Sequence, residues 1–459
     1  MVDSQGRSYV GPVASILDTD LYKLTMQQAI LHHYPDAHVT YAFTNRSKQM
    51  KFNRECLSKI RKHVDELSRL RLTNDEETWL KTTCPYLRPH YLSYLSLFQL
   101  DPKTQVEIEF IPDKQQKGEK EEWGDLNVKI EGKWVEVILY EVPIMAIISE
   151  VYFTSIDTSW NLKGQRALAK GKGHRLVLAG IGFSEFGTRR RRSYKVHRLV
   201  LEGLLEGEKE AKKNDSSGTN LGRLVGTSNV HFAHIFGLNP IGTVAHEWTM
   251  GIAALEGYAH PNLRSLQLWD AVYSPPNFIP DSPAHDLTIA LTDTYSTEVF
   301  WKELLGEPSG KEILQRWRGL RQDSGDSKEF AKKSKQIYQD LGIDPKSKVI
   351  IYSDALDVTK CIELAQYSKE LGIGASFGVG THLTNDFMQT FEKKEVEDDL
   401  DDTSSLSMKG IPPSKALNMV IKLASVNGKK TVKISDELSK NTGDAEEIKR
   451  CKDHFGLPS

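Results

Sequence analysis

The sequence predicts an α/β fold: an irregular, TIM-like seven-stranded βα barrel plus a mixed α/β domain built from both ends of the chain. Three observations predict it. From about Arg175 to Asp386, short apolar runs alternate with helical patterns in about seven βα steps, as a parallel sheet requires. The apolar runs end in polar motifs, as barrel strands do where they share a mouth. An open doubly wound sheet would show similar steps, but the polar strand ends favour the barrel. The flanking parts read differently, with a mixed pattern before Glu150 and a hairpin after Leu417.

In chain order, the first part carries helical stretches at Leu21 to Tyr34 and Phe52 to Leu70. Its strands are His38 to Phe43, Thr104 to Ile111 and Trp134 to Val142. The barrel series opens with Leu176 to Phe183 as a strand, then a helix with Val196, Leu199, Val200 and Leu204 on one face. Strands follow at Leu221 to Gly226 and Ile241 to Ala245, the latter leading into an apolar helix, Met250 to Tyr258. Leu287 to Thr292 precedes a helix through Val299, Phe300 and Leu304. Arg318 to Arg321 precedes one through Phe330 and Ile337, and Lys348 to Tyr352 precedes Val358 to Leu371. Ile373 to Phe377 closes the series. Beyond it, Met419 to Ser425 alternates, Asn427-Gly428 signals a turn and Thr431-Val-Lys-Ile returns. This hairpin is expected to join the N-terminal domain, because the barrel already has its strands. The domains are then 1–150 completed by 410–459, and 151–390 for the barrel, with an acidic insertion at 390–410. Lys114 to Asp125, Glu206 to Asn220 and Thr390 to Gly410 are too polar to build a core and read as solvated surface.

Composition narrows the function. The 459 residues carry a formal net charge of −2, which gives no global reason to expect nucleic acid or an anionic membrane as partner. The 4 cysteines are scattered, without a CxxC pair, which fits a reducing compartment rather than a disulfide framework or zinc knuckle. The start has no apolar signal region, and the apolar run Val135 to Phe153 is broken by Glu136, Glu141 and Glu150. The expectation is a soluble, cytoplasmic protein. The basic run Arg189 to Arg192 leaves a nuclear-import reading open.

The chemistry sits at the strand ends. In Gly242-Thr-Val-Ala-His-Glu-Trp248 an imidazole and a carboxylate meet at a helix start, where histidine can serve as nucleophile, base or phosphate carrier. HExxH is excluded because Met250 stands where the second histidine belongs. His231 and His234 form HxxH without a further ligand and read as helix residues. Arg189, in Ser184-Glu-Phe-Gly-Thr-Arg189, offers a guanidinium for phosphate or carboxylate. Gly226-Thr-Ser-Asn229 suits close approach by a ligand, or is a plain turn. Arg321-Gln-Asp-Ser-Gly-Asp326 sets two carboxylates around Ser-Gly, suited to Mg²⁺ or ribose hydroxyls, and Asp326 or Ser327 also suits a helix N-cap. Ser353-Asp-Ala-Leu-Asp357 repeats the theme. Phe377-Gly-Val-Gly-Thr-His-Leu383 holds the late position where barrels bind phosphate. No GxxxxGK[ST] is present, so an ATP site would not be a P-loop.

Six ordered motifs carry a resemblance. Asp18 to Met26, Glu185 to Arg189, Gly226 to Val230, Ala245 to Trp248, Arg321 to Asp326, and Lys433 to Asp436 through Thr442-Gly-Asp444 together resemble the nicotinate phosphoribosyltransferase family, over about residues 15–445. The resemblance implies that nicotinate and phosphoribosyl pyrophosphate yield nicotinate mononucleotide and pyrophosphate, with ATP hydrolysis coupled and Mg²⁺ as the metal. Its ligands stay unassigned. The resemblance also implies a homodimer with shared sites.

By the same resemblance, His246 is the histidine that ATP phosphorylates. Phe186 stacks on the pyridine, and Tyr22 covers the other face from the partner subunit. Arg321 meets the nicotinate carboxylate or its surroundings, and Arg46 and Arg189 contact phosphate or pyrophosphate. Asp323 and Asp354 hold ribose hydroxyls or Mg²⁺, Thr227 and Ser228 lie against substrate, and Gly380 and Thr381 cradle the 5′-phosphate. Nicotinamide phosphoribosyltransferase, the nearest alternative, carries Asp in place of Ser228. A neutral serine favours the acid, because a carboxylate there would repel it. A non-catalytic scaffold is the alternative of another class, set aside because His246, Arg321, Asp323 and Asp354 occur together.

Overall fold

The computed structural model describes residues 11–113, 122–214, 220–274, 282–390, 412–437 and 441–458. The acidic stretch 395–402, most of Lys114 to Asp125 and the end of Glu206 to Asn220 lie outside the described residues.

Two sheets organise the chain. The first is antiparallel and has His38–Asn45 near its centre, paired on one side with Met419–Val426 and on the other with Trp123–Lys133. The hairpin at the end of the sequence thus completes a sheet begun near its start, and Asn427-Gly428 turns it into Lys429–Lys430. Trp123–Lys133, which also pairs with Val106–Pro112, went unrecognised in the sequence although Leu126, Val128 and Ile130 alternate inward.

The expected strand Trp134 to Val142 is instead helical, and Glu141–Ser155 continues as a helix. Nearly every side chain there is buried, so the period that separates strand from helix is invisible in the sequence. By length and composition, Trp134–Ser155 could cross a membrane, but 89% of that window is packed inside the fold. Two more expectations shift. Leu176 to Leu178 ends the helix Gln165–Leu178, and the strand is only Gly182–Glu185. The polar run from Glu206 is helical as far as Asn214.

The second sheet is parallel and six-stranded. Its order is Arg223–Thr227, Gly182–Glu185, Gly374–Val379, Val349–Tyr352, Gly319–Gln322, Ile289–Leu291. The seven-stranded ring is not reproduced. Where the seventh strand was expected, the chain makes a single parallel bridge, Pro240 to Thr227. The groups on either side of Pro240 make that rung, Thr227 N–H to Asn239 O at 3.2 Å and Ile241 N–H to Thr227 O at 2.8 Å. Asn239 approaches so closely that a Cβ on Gly226 would collide with its carbonyl.

A parallel sheet sends all its C-terminal ends to one edge, with the following loops beside each other. Backbone bonds knit that edge: Phe186 N–H to Val379 O at 2.8 Å, Ser228 N–H to Glu185 O at 2.8 Å and Ser353 N–H to Gln322 O at 3.0 Å. The N-terminal segment lies across one end of it, with Val230 N–H to Thr19 O at 2.9 Å and Leu21 N–H to Ser228 O at 2.8 Å.

Past the last strand, Phe387–Met388 pairs antiparallel with Pro413–Ser414. Arg192 clamps that junction. Its guanidinium donates to Ser414 Oγ and O at 2.9 and 2.8 Å and packs on the Phe153 and Phe387 rings. Arg191 is equally buried, bonded to both oxygens of Asp18 at 2.8 Å. Of the basic run, two members therefore serve the interior. The 4 cysteines are buried and unpaired.

Candidate active site

His246 is the first residue of the helix His246–Glu256 and comes directly from the bridged segment. Its Nε2 lies 3.1 Å from Asp323 Oδ2 and 3.7 Å from Asp293 Oδ1, and its Nδ1 lies 3.0 Å from Thr294 Oγ1. A carboxylate beside Nε2 fixes the ring proton there, which leaves the lone pair on Nδ1 facing the threonine hydroxyl. Burial and the nearby Lys433 pull its pKa down to about 4, against the opposing pull of the two aspartates. The imidazole is therefore neutral at physiological pH.

The three groups around His246 come from two strand ends, with Asp293 and Thr294 sharing one. Asp323 follows Gly319–Gln322, accepts Arg321 Nη2 at 3.2 Å and takes the Ser353 hydroxyl at 2.7 Å. Burial pushes its carboxyl up, but Arg321 and His246 outweigh that and hold it well below the usual range. Arg321 also reaches Ser353 Oγ at 3.0 Å and Val244 O at 3.2 Å, so it braces the segment before His246. Asp293, absent from the sequence-based set, follows Ile289–Leu291 and is 1% exposed. Its Oδ2 takes Ser324 Oγ at 2.6 Å and Lys433 Nζ at 3.2 Å, while its buried Oδ1 has no hydrogen-bond partner.

Lys433 to Asp436 docks on this edge from the C-terminal part. Ile434 N–H bonds Thr294 O at 2.9 Å, Ser435 Oγ bonds Ser324 Oγ at 2.9 Å, and Asp436 accepts Thr297 N–H at 2.6 Å. Ser435 and Ser296 both hold positive φ, at 71° and 89°. Such backbone costs about 1–3 kcal/mol per residue and persists only where neighbours enforce it. Here the interlocked hydroxyls and the cap from Ser296 Oγ to Val299 N–H do so.

At the other end of the edge, Phe186 is half-buried, and a Cβ on Gly378 would sit 3.3 Å from its ring. Below it, Glu185 takes His197 Nε2 at 2.7 Å and Thr227 Oγ1 at 2.6 Å. Thr227 is therefore spent on holding the loop, and it is fully buried. Ser228 is also fully buried, and its hydroxyl donates to Asp20 Oδ1 at 2.7 Å. The premise of a carboxylate-free pocket at Ser228 does not hold, because Asp20 is already there. Burial pushes the Asp20 carboxyl up, with Arg189 opposing.

Tyr22 is buried, and burial, with Glu141 adding to it and Arg189 opposing, pushes its phenol well up. The next residue, Lys23, is fully buried and bonds Glu141 at 2.6 Å and Glu247 at 2.5 Å. Glu247 also accepts the Tyr41 hydroxyl at 2.5 Å and the Trp134 indole N–H at 2.8 Å, and Glu141 meets Arg189 at 3.3 Å. The sequence marked Glu247 as the carboxylate beside His246, but not its partnership with Lys23 and Glu141.

Arg46, at the end of His38–Asn45, is exposed, and its charge acts on Arg190 and Lys422. Lys422 adds a cation that the sequence reading missed; burial and the nearby Lys433, Arg46 and Arg189 bring its pKa down to about 7. Asp354 is half-buried after Val349–Tyr352, and its carbonyl holds Lys360 Nζ at 3.0 Å. Gly380 and Thr381 open the turn Thr381–Thr384, which is tied to the Phe186 loop by Thr384 Oγ1 to Gly187 O at 3.0 Å. Asp326 caps Ser327–Asp340 by accepting two backbone N–H groups, and His231 and His234 are helix residues, both as expected.

Among known proteins, the Nicotinate phosphoribosyltransferase (NAPRTase) family model matches residues 181–459, and that family's N-terminal domain model matches 17–149. A curated relative from Schizosaccharomyces pombe is 41% identical over 97% of this chain and 98% of its own length. The nicotinate phosphoribosyltransferase of Saccharomyces cerevisiae is 39% identical over 97% and 95%. A Saccharomyces cerevisiae crystal structure superposes with a TM-score of 0.85 at 37% identity, covering 98% of this chain and 100% of that one. The nicotinate phosphoribosyltransferase structure from Porphyromonas gingivalis gives 0.79 at 33%, covering 97% and 100%.

Proposed function

The chain belongs to the nicotinate phosphoribosyltransferase family, and from that premise we propose that it joins nicotinate to phosphoribosyl pyrophosphate, forming nicotinate mononucleotide and pyrophosphate for NAD biosynthesis, with ATP hydrolysis coupled through a phosphohistidine at His246. The observation that carries the ATP step is the state of His246: neutral, with its proton held toward Asp323 and its lone pair on Nδ1. In this reading Nδ1 attacks the γ-phosphorus. The N–P bond forms as the bond to the ADP oxygen breaks, and Asp323 balances the resulting imidazolium charge. Water later cleaves the N–P bond and releases phosphate.

In the transfer step the pyridine nitrogen attacks the ribose anomeric carbon as pyrophosphate leaves. Most of the catalysis is positioning and charge neutralisation. Arg46, Arg189 and Lys422 supply positive charge for the polyphosphate, Phe186 and Tyr22 supply aromatic faces for the ring, and Gly380 and Thr381 offer a turn for the 5′-phosphate. Asp293 and Asp323 lie beside His246, and their carboxylates, above all the orphaned Asp293 Oδ1, would suit a hard cation such as Mg²⁺, with the imidazole left to the phosphoryl group. Such an ion would shield phosphate charge. We read the enzyme as a cytoplasmic homodimer with shared active sites, in which Tyr22 covers the pyridine from the partner subunit.

Incubation with γ-labelled ATP is expected to leave acid-labile label on the wild type and none on His246→Ala, and product is expected from nicotinate rather than nicotinamide. Label on another residue, or preferential use of nicotinamide, would sink the reading. Ser228→Asp sets a second carboxylate against Asp20, and one of the two must then keep its proton. At pH 8 its kcat/KM for nicotinate is expected to fall on the order of 100-fold, with partial recovery toward pH 6. A uniform loss across a pH series would refute that cause.

A further inference from the structure

The buried ion cluster around Lys23 lies between two features that the reading above leaves unconnected. Glu247 adjoins His246 in the first turn of its helix, and Glu141 opens the helix Glu141–Ser155. Among the described residues, Lys23 is the one cation that bonds both, at 2.5 and 2.6 Å, and Tyr22 precedes it. Beyond Glu141 lies Arg189, at the longer distance of 3.3 Å and with 43% of its side chain exposed. The ladder Glu247, Lys23, Glu141, Arg189 thus runs from the helix of His246 to a cation open to ligand. Its two anions and two cations balance, so no net charge is stranded.

Such a cluster is an expensive way merely to fill space, because well-packed apolar groups stabilise an interior at least as well. It does fix register. Glu247 is anchored by Tyr41 and Trp134 as well, and a Cβ on Gly251 would strike the Trp134 ring, so the start of this helix has one seat. Lys23 has to share its ammonium between two carboxylates. A pull on Glu247 changes its hold on Glu141, and with it the hold of Glu141 on Arg189.

We propose that Lys23 is a positioning residue that couples the helix start carrying His246 to Arg189 and Tyr22, so that phosphorylation of His246 tightens binding of the pyridine acid. The inference rests on the phosphohistidine reading given above. Its test uses Lys23→Met, Lys23→Arg and Glu141→Gln, with two readouts: acid-labile phosphate on His246, and the KM for nicotinate with and without ATP.

In the wild type, ATP is expected to lower that KM by about tenfold, an ordinary coupling energy. Lys23→Met and Glu141→Gln are expected to keep the label and lose most of the drop in KM, and Lys23→Arg to regain it. A variant that labels normally and keeps the full drop overturns the role of Lys23 while leaving the phosphohistidine intact. A wild type that never labels overturns both. Should Lys23→Met not fold, Glu141→Gln decides, since it leaves the Lys23–Glu247 pair in place.

Discussion

Asp323→Asn is expected to lower ATP-coupled product formation on the order of 10³-fold while leaving the fold intact. The carboxylate does two things for His246: it fixes the ring proton on Nε2, and it offsets the charge that appears when Nδ1 takes a phosphoryl group. An amide of the same shape does neither. It can turn its NH₂ toward Nε2 and favour the wrong tautomer, and it carries no charge. Arg321 and Ser353 keep an oxygen to bond, so the loop should survive. Steady-state rates with nicotinate, taken beside the amount of acid-labile phosphate, check this. A rate within tenfold of the wild type would remove Asp323 from the reaction. With the His246 pKa at about 4, the wild-type rate should also show no titration of this imidazole above pH 5.5 or so.

The second large effect concerns stability. Arg191→Met is expected to cost about 3–5 kcal/mol, read as a shift in the urea midpoint, because it strands the Asp18 carboxylate in the interior. Burial pushes Asp18 up, but Arg191 holds it below its ordinary value of 3.8. A depressed carboxyl stabilises the fold above its unfolded pKa, and that contribution fades as pH falls through the folded one. The wild-type contribution is thus complete at pH 5 and is lost only in strong acid. The double variant Asp18→Asn with Arg191→Met should recover part of the loss. If the single variant unfolds at the wild-type midpoint, the pair contributes nothing.

The parallel sheet was legible because short apolar runs ending in polar motifs leave a strong pattern. The strand over Val349–Tyr352 and the helix Val358–Leu371 sit where that pattern placed them. The run from Trp134 misled because burial on every side erases periodicity. The site residues were legible where each sat at a strand end. Asp293 obeys the same rule in Thr292-Asp293-Thr294 and could have been found that way. Lys23 could not. It lies in Leu21–His33, a helix whose first ten residues are all buried, and nothing local in the sequence announces that a lysine there has two carboxylates waiting. Ser228 was visible as a residue, but its partner Asp20 is 208 positions away, so its hydrogen bond could not be read along the chain.

The pairing of Phe387–Met388 with Pro413–Ser414 holds the two ends of the intervening chain side by side. Paired strands lie about 5 Å apart, so even a few residues could close the gap. Each doubling of such a loop adds only about 0.6 kcal/mol of closure entropy. A reporter peptide inserted between Met388 and Pro413 is therefore expected to cost about 1 kcal/mol or less, read as a small shift in the urea midpoint.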